Sequence, residues 1–177
     1  MIHAITPNFD DEHQFLQFIS LVNKHPISHF IIRNKNLTFD ELHQFRDLAI
    51  KHLPSQVKAI INPRKISNKQ PIPSNTLVHL NSSNLLNASD NKNWISASCH
   101  NEEEILVANK LSLEFIFLSP VLQTAKYPSY LGWKNFSMLA KESKHPVVAL
   151  GGLTINSLEK AVAYGASGIA GISMFSS

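Results

Sequence analysis

The chain has 177 residues, of which 44% are hydrophobic and 16% charged, and its formal net charge is +3. This balance excludes a disordered chain and is typical of a globule with a sizeable core, so we predict a single domain over residues 1–177. The apolar runs are far shorter than the ~20 residues that span a bilayer, and the start MIHAITPNFDDEH does not resemble a signal peptide. We therefore expect a cytoplasmic protein without a membrane role.

The cysteine and arginine content indicates the redox compartment of the protein and its possible partners. Cys99 is the only cysteine, which excludes an internal disulfide and fits a reducing compartment. The three arginines are scattered, and no basic run is interleaved with aromatic residues. We expect no nucleic-acid partner.

Short apolar runs rich in β-branched residues recur along the whole chain. Near-continuous apolarity predicts strands that are buried on both faces of a parallel sheet. Eight such runs lie at residues 2–5, 29–32, 58–61, 77–80, 94–97, 115–118, 147–150 and 168–172.

Helical patterns separate several of these runs. Thr38 with Glu41, and Asn101 with Glu104, have the spacing of helix starts. Thr154 precedes another helix, which Gly165 ends. Inward faces are predicted for Leu158, Ala161 and Val162, and for Trp133, Phe136, Leu139 and Ala140. Strands and helices alternating in this way predict a compact (β/α)₈ TIM barrel, an α/β fold.

Three connections depart from the ideal barrel. The segment after the third strand, NPRKISNKQPIPSN, contains three prolines and predicts a loop. The segment after the fourth strand allows about one turn around Leu85 and Leu86. The sequence stops at Ser177 without a final helix, so we expect a homo-oligomer or a missing partner domain to cover the last strand.

Glycines at the ends of the last two strands suggest a phosphate site. Gly151 and Gly152 follow the seventh strand, and Ile172 and Ser173 end the eighth. Phosphate commonly binds at these two loops of a barrel, where glycine allows close approach of the backbone. The alternative is that the glycines serve turn geometry or packing alone.

His100 is the candidate proton-transfer residue. It follows the fifth strand and precedes a helix start, at the barrel face where active sites lie. The alternative is a purely structural histidine at a helix start. Cys99 points to the opposite face of the strand and is expected to be buried.

Other polar residues end strands or lie in loops on the same face. Arg33 and Lys35, two positions apart, would suit a second anionic group, and a solvated loop is the alternative. Asn62 and Ser98 end the third and fifth strands, while Thr124 and Lys126 lie in the loop after the sixth.

We predict no metal site from the residues. No Asp or Glu ends any of the eight runs, and no HExxH or CxxC motif is present. A cluster of His3, His29 and His79 from separate strands remains an open alternative.

The segments in this order resemble the thiamin phosphate synthase and TenI superfamily. The resemblance spans nearly the whole chain and is strongest in the last two strand–helix units. It is carried by the segments HAITP, FIIRNKNLTFDEL, IINP, LVHLNSSNL, SASCHNEEEI, FIFLSPVLQTAKYP and PVVALGGLTINSLEKAVAYGASGIAGISMF.

This resemblance implies a thiazole phosphate ligand, held at Gly151, Gly152, Ile172 and Ser173 with Thr124 nearby. Arg33, Lys35, Asn62 and Ser98 match further substrate-binding positions of the family, and Lys126 is a candidate for its loop lysine. In the synthase branch, two aspartates hold Mg²⁺ on a pyrimidine diphosphate, but here the matching residues are Pro63 and Asn84. A glutamine of that branch is matched by Ile31.

The TenI branch fits this pattern better, because its catalytic histidine matches His100 and its reaction needs no metal. We therefore predict a metal-independent thiazole tautomerase, an isomerase without a cofactor. One alternative is a thiamin phosphate synthase, a transferase, with an altered Mg²⁺ site. A non-catalytic module that binds a phosphorylated ligand is the second.

Overall fold

The chain folds as a closed barrel of eight parallel strands. The computed structural model describes residues 1–67, 71–125 and 127–175. Each strand pairs with the next along the chain, and the last pairs with the first. The strands are β1 (Ile2–Ile5), β2 (Ile27–Ile32), β3 (Lys58–Ile61), β4 (Val78–Leu80), β5 (Trp94–Cys99), β6 (Phe115–Leu118), β7 (Val147–Leu150) and β8 (Gly168–Gly171). The predicted (β/α)₈ barrel is confirmed.

Helices surround the barrel, and their starts follow the expected chemistry. They are α1 (Glu12–Val22), α2 (Phe39–His52), α3 (Ser82–Leu85), α4 (Glu102–Ala108), α5 (Gly132–Ala140) and α6 (Leu158–Ala163). Thr38 and Glu41 form a reciprocal capping box at α2. Asn101 caps α4 by accepting from the Glu104 backbone N–H at 2.9 Å. Gly165, with φ +94°, follows α6 as expected for a residue that ends a helix.

The core divides into two parts, inside and outside the ring of strands. The outer part lies between strands and helices and includes the predicted Phe136 and Ala161. Val162 was predicted to face inward, but its side chain is 53% exposed. That prediction was wrong because α6 is short and contacts the barrel through a narrower face. Similarly, Leu85 is buried in the single turn α3, whereas Leu86 is 50% exposed.

Two histidines occupy the amino-terminal part of the barrel interior, which we call the floor. His3 and His29 stack with ring centroids 4.6 Å apart, beside the aromatic ring of Phe115. Lys58 and Glu114 form an ion pair of 2.7 Å, and both charges act on His29. Burial is the main cause that lowers the pKa of His3 to about 3, and it also lowers the pKa of His29.

The last strand is covered by the chain itself. Ile169 in the middle of β8 is fully buried. A turn of 3₁₀ helix after β8 brings Phe175 against Phe18 of α1 and against His25. The expected oligomer or partner domain stays a prediction.

Candidate active site at the carboxyl ends of the strands

The loop after β7 is shaped by its two glycines. Gly151 has φ +105° and Gly152 has φ +70°, a region that side-chain-bearing residues rarely adopt. A Cβ on Gly151 would lie 2.8 Å from Pro120, and one on Gly152 would lie 2.8 Å from the carbonyl oxygen of Gln123. Both the backbone conformation and the close packing therefore require glycine at these positions.

The loop after β6 extends along this glycine loop. The backbone N–H of Val121 donates to the Leu150 carbonyl at 2.9 Å, and that of Leu122 donates to the Gly151 carbonyl at 3.1 Å. These bonds bring the segment carrying Thr124 beside the glycines, although the Thr124 hydroxyl accepts from the Tyr127 N–H at 3.0 Å. Lys126, the predicted loop lysine, lies outside the described residues.

The loop after β8 leaves the barrel beside the glycine loop. Leu150 pairs with Ala170 in the register of β7 and β8, so the residues that follow emerge at the same edge. Ile172 and Ser173 are both exposed there. Together with Gly151 and Gly152, they form what we call the glycine side of the rim.

A buried histidine lies between two serines under the rim. The Nδ1 atom of His79 is 2.8 Å from the Ser96 hydroxyl, and its Nε2 atom is 2.7 Å from the Ser98 hydroxyl. Burial, and next the charge of Arg33, lower the pKa of His79 to about 3. The contact with the ring holds the hydroxyl of Ser98, one of the predicted site residues.

Lys35 lines an open pocket between the loops that follow β2 and β3. This basic pocket has a volume of about 370 Å³ and is lined by Lys35, Leu37, Thr38, Phe39, Pro63, Arg64 and Lys65. Asn62 lies directly before Pro63 and is buried, and its backbone N–H donates to Ile32. The side of the rim formed by β2 and β3 is therefore rich in positive charge.

The two positions matched to metal-binding aspartates do not fit Mg²⁺. Pro63 offers no side-chain oxygen, and its carbonyl accepts from the side-chain amides of Asn81 at 3.1 Å and Asn84 at 3.0 Å. The Asn84 amide oxygen in turn accepts from the Ile66 N–H at 3.3 Å. Mg²⁺ sites normally use one or two carboxylates. Among residues 1–67, 71–125 and 127–175, no three His, Cys, Asp or Glu side chains form a metal-binding group, the three interior histidines included.

His100 lies on the outer part of the rim and is held by a carboxylate. Its Nδ1 atom is 3.0 Å from Glu104 and 3.1 Å from the Ser82 hydroxyl. The same Glu104 oxygen accepts from the His100 backbone N–H at 2.7 Å. The side chain of His100 is 44% exposed and borders a groove of about 360 Å³ between α4 and α5. The geometry gives an oriented imidazole that solvent can reach.

Cys99 is the last residue of β5 and belongs to the core outside the ring of strands. Cys99 is fully buried, and this burial raises the pKa of its thiol to about 12. The cysteine is therefore a core residue rather than a nucleophile.

Sequence reasoning named His79 only in a possible cluster with His3 and His29, and it missed the contacts of this residue with two serines. These contacts could have been found from its place in the fourth strand opposite two serines at alternate positions of the fifth. Arg64 and Lys65 were read as loop residues, since a loop without periodicity carries no signal of where its side chains point. The contact between Glu104 and His100 joins the first turn of α4 to the residue just before its N-cap, Asn101.

Comparisons with known proteins identify the family of the chain. The family model described as thiamine monophosphate synthase matches residues 2–175. The chain therefore belongs to the thiamine monophosphate synthase family. Among the residues described, no helix is long and apolar enough to cross a membrane.

Two relatives named as thiamine-phosphate synthases match this chain over different lengths. A thiamine-phosphate synthase of Chlamydia abortus is 26% identical over 93% of this chain and 81% of its own length. A putative thiamine-phosphate synthase 2 of Aquifex aeolicus is 39% identical, but the match covers only 48% of this chain and 47% of that protein. The match to the Aquifex aeolicus protein thus spans less than half of that protein's length.

Solved structures support the fold. Thiamine phosphate pyrophosphorylase from Pyrococcus furiosus superposes with a TM-score of 0.69 and 20% identity, over 97% of this chain and 85% of that one. The pyrophosphorylase from Bacteroides thetaiotaomicron gives 0.57 and 16% identity, over 98% and 83%.

Proposed function

We propose that this protein is a transferase that joins a hydroxymethylpyrimidine diphosphate to a thiazole phosphate. In this reaction the bond between the pyrimidine methylene carbon and the diphosphate oxygen breaks, and diphosphate leaves. A bond then forms between that carbon and the thiazole nitrogen. The product is thiamin phosphate. This proposal replaces the tautomerase as the leading function, because the named relatives are synthases.

One observation carries the proposal: the rim has two regions suited to anions. The glycine side follows β7 and β8, and the basic pocket follows β2 and β3, on the other side of the closed barrel. A synthase brings together two phosphorylated molecules, whereas a tautomerase acts on one. Two separate phosphate regions therefore favour the transferase.

Each region has a proposed ligand. Gly151, Gly152, Ile172 and Ser173, with Thr124, would hold the thiazole phosphate through backbone N–H groups and hydroxyls. Arg33, Lys35, Asn62 and Ser98 would bind the diphosphate substrate, with Lys126 as a further predicted contact. Charge-assisted hydrogen bonds from Arg33 to departing diphosphate would stabilise the negative charge that develops as the bond breaks.

The test is formation of thiamin phosphate from the two purified substrates, in EDTA and in Mg²⁺. We expect product only when both substrates are present, and at least about a tenfold loss in Arg33→Gln. Lys51→Gln, on the exposed end of α2, is the control and should behave like wild type. Absence of product in both conditions would contradict the proposal.

The pairing of His100 with Glu104 favours thiazole tautomerase as a second candidate. An imidazole held by a carboxylate can move a proton between ring and exocyclic carbon without a metal. Proton NMR of the carboxythiazole phosphate tautomer with the protein in EDTA tests this candidate. Conversion that is lost in His100→Asn would support it, and an unchanged spectrum would remove it.

A further inference from the structure

Arg64 and Lys65 form a pair of exposed cations that the family resemblance does not assign. They follow β3 and line the basic pocket together with Lys35. Neither forms an ion pair with a carboxylate in the part of the chain that the structure describes. Both therefore keep their charge available to a ligand in the pocket.

The loop that carries these cations is fixed by two asparagine side chains. Asn81 donates its amide to the carbonyls of Pro63 and Arg64, at 3.1 Å each. Asn84 bonds both the Pro63 carbonyl and the Ile66 N–H. These bonds hold the backbone on both sides of Arg64 and Lys65. The loop is thus ordered before a ligand arrives, which reduces the entropy lost on binding.

Negative charge near the pocket is limited. No carboxylate is among its lining residues in the described ranges. The neighbouring acids are Asp40 and Glu41 in the first turn of α2. Hydrogen bonds from the Thr38 backbone and hydroxyl hold Glu41 and lower the pKa of its carboxyl group. This carboxylate is therefore committed to its capping box.

We propose that Arg64 and Lys65 bind the diphosphate of the substrate directly and supply positive charge in place of a metal ion. The identity of the ligand rests on the proposed transferase function. The reason is that the residue types at these loops differ from those of a metal site. A metal site would need carboxylates at positions 63 and 84, but Pro63 and Asn84 instead form a loop held by side-chain amides. The residues that follow Pro63 are the cations Arg64 and Lys65. A pocket of about 370 Å³ is large enough for a small phosphorylated molecule.

Calorimetric titration of the intact chain with inorganic pyrophosphate, in excess EDTA, tests the inference. We expect wild type to bind, and Arg64→Gln/Lys65→Gln to bind at least about tenfold more weakly, because two charged donors are lost. The control Lys110→Gln/Lys141→Gln removes the same charge from exposed positions elsewhere and should bind like wild type. Thermal unfolding of each variant checks that it is folded.

A second arm repeats the titration with Mg²⁺. We expect unchanged or weaker binding, because the metal offsets the ligand charge that the two cations recognise. Stronger binding with Mg²⁺, no binding in EDTA, or equal losses in the test and control variants would each overturn the inference. Pyrophosphate is the only ligand present, so this experiment can succeed even where no thiamin phosphate is formed.

Discussion

The floor of the barrel and its carboxyl-end rim both contain histidines, yet in opposite settings. On the floor, His3 and His29 stack among aromatic rings, and both ring nitrogens of His3 lack a hydrogen-bond partner among the described residues. On the rim, His100 contacts a carboxylate and a hydroxyl and is 44% exposed. The same side chain is thus structural in one region and suited to chemistry in the other.

This difference teaches that environment, rather than residue type, decides the role of a histidine here. Burial disfavours the imidazolium and lowers the pKa of both floor histidines. A carboxylate partner and contact with solvent favour proton exchange at the rim. His79 combines features of both regions. It is buried, like the floor histidines, and it hydrogen-bonds to Ser98 of the rim.

The largest expected effect is a loss of folding stability on acidification, which comes from the buried histidines. His3 and His79 have folded pKa values of about 3, below the unfolded value of 6.5. Below pH 6.5 the unfolded chain takes up protons that the folded chain does not, so stability falls as pH falls. Each group contributes ~1.4 kcal/mol per pH unit, giving a loss of several kcal/mol by about pH 4.5. Urea unfolding at several pH values measures it.

A variant makes this prediction specific to the floor. His3→Leu should lose less stability on acidification, because one titrating group is gone. His52→Gln, an exposed position on α2, should keep the wild-type pH dependence. An identical slope in His3→Leu and wild type would show that the floor does not control acid stability.

Replacing His100 tests whether the rim histidine transfers a proton. On the second candidate function, the tautomerase, His100→Asn should lower turnover by ~10²–10⁴-fold with substrate binding kept, because a positioned acid or base contributes in that range. Turnover and substrate affinity are measured separately by NMR and calorimetry. His13→Asn, exposed on α1, serves as the control. Unchanged turnover in His100→Asn would exclude it from the proton transfer.

The glycine side of the rim can be tested with two matched alanine variants. Gly152→Ala should lower the free energy of unfolding by ~1–3 kcal/mol, since it combines a strained φ with a collision. Gly165→Ala has φ +94° but nothing within 4 Å of the new Cβ, so it reports strain alone. Urea unfolding gives both values. Equal losses would show that packing against the β6 loop contributes nothing.

The smallest expected effect concerns the carboxylate on the rim histidine. Glu104→Gln keeps an oxygen near Nδ1 of His100 but removes its charge. On the tautomerase candidate, turnover should fall by roughly tenfold, since charged hydrogen bonds are about twice as strong as neutral ones. Glu103→Gln, exposed on the same helix, is the control. Turnover equal to wild type would limit Glu104 to capping α4.

Much of the fold could be predicted because its signals are local. Apolar runs marked all eight strands, and Thr38 with Glu41 marked the start of α2 through a bond three residues apart. Val162 was misplaced because helical periodicity does not show how wide the buried face of α6 is. The contact of Phe175 with Phe18 of α1 joins residues that lie far apart in the chain, and no local pattern encodes it.

The sequence by itself determined the barrel, the family and the glycines after β7, because strand periodicity and backbone requirements are written in neighbouring residues. Only the tertiary structure decided that His79 hydrogen-bonds to Ser98 and that the Asn84 amide bonds to the Pro63 carbonyl in the loop after β3. It also decided that Arg64 and Lys65 line one pocket together with Lys35. These contacts join residues from different strand–helix units. Their geometry depends on closure of the barrel, which brings the carboxyl ends of all eight strands to one edge.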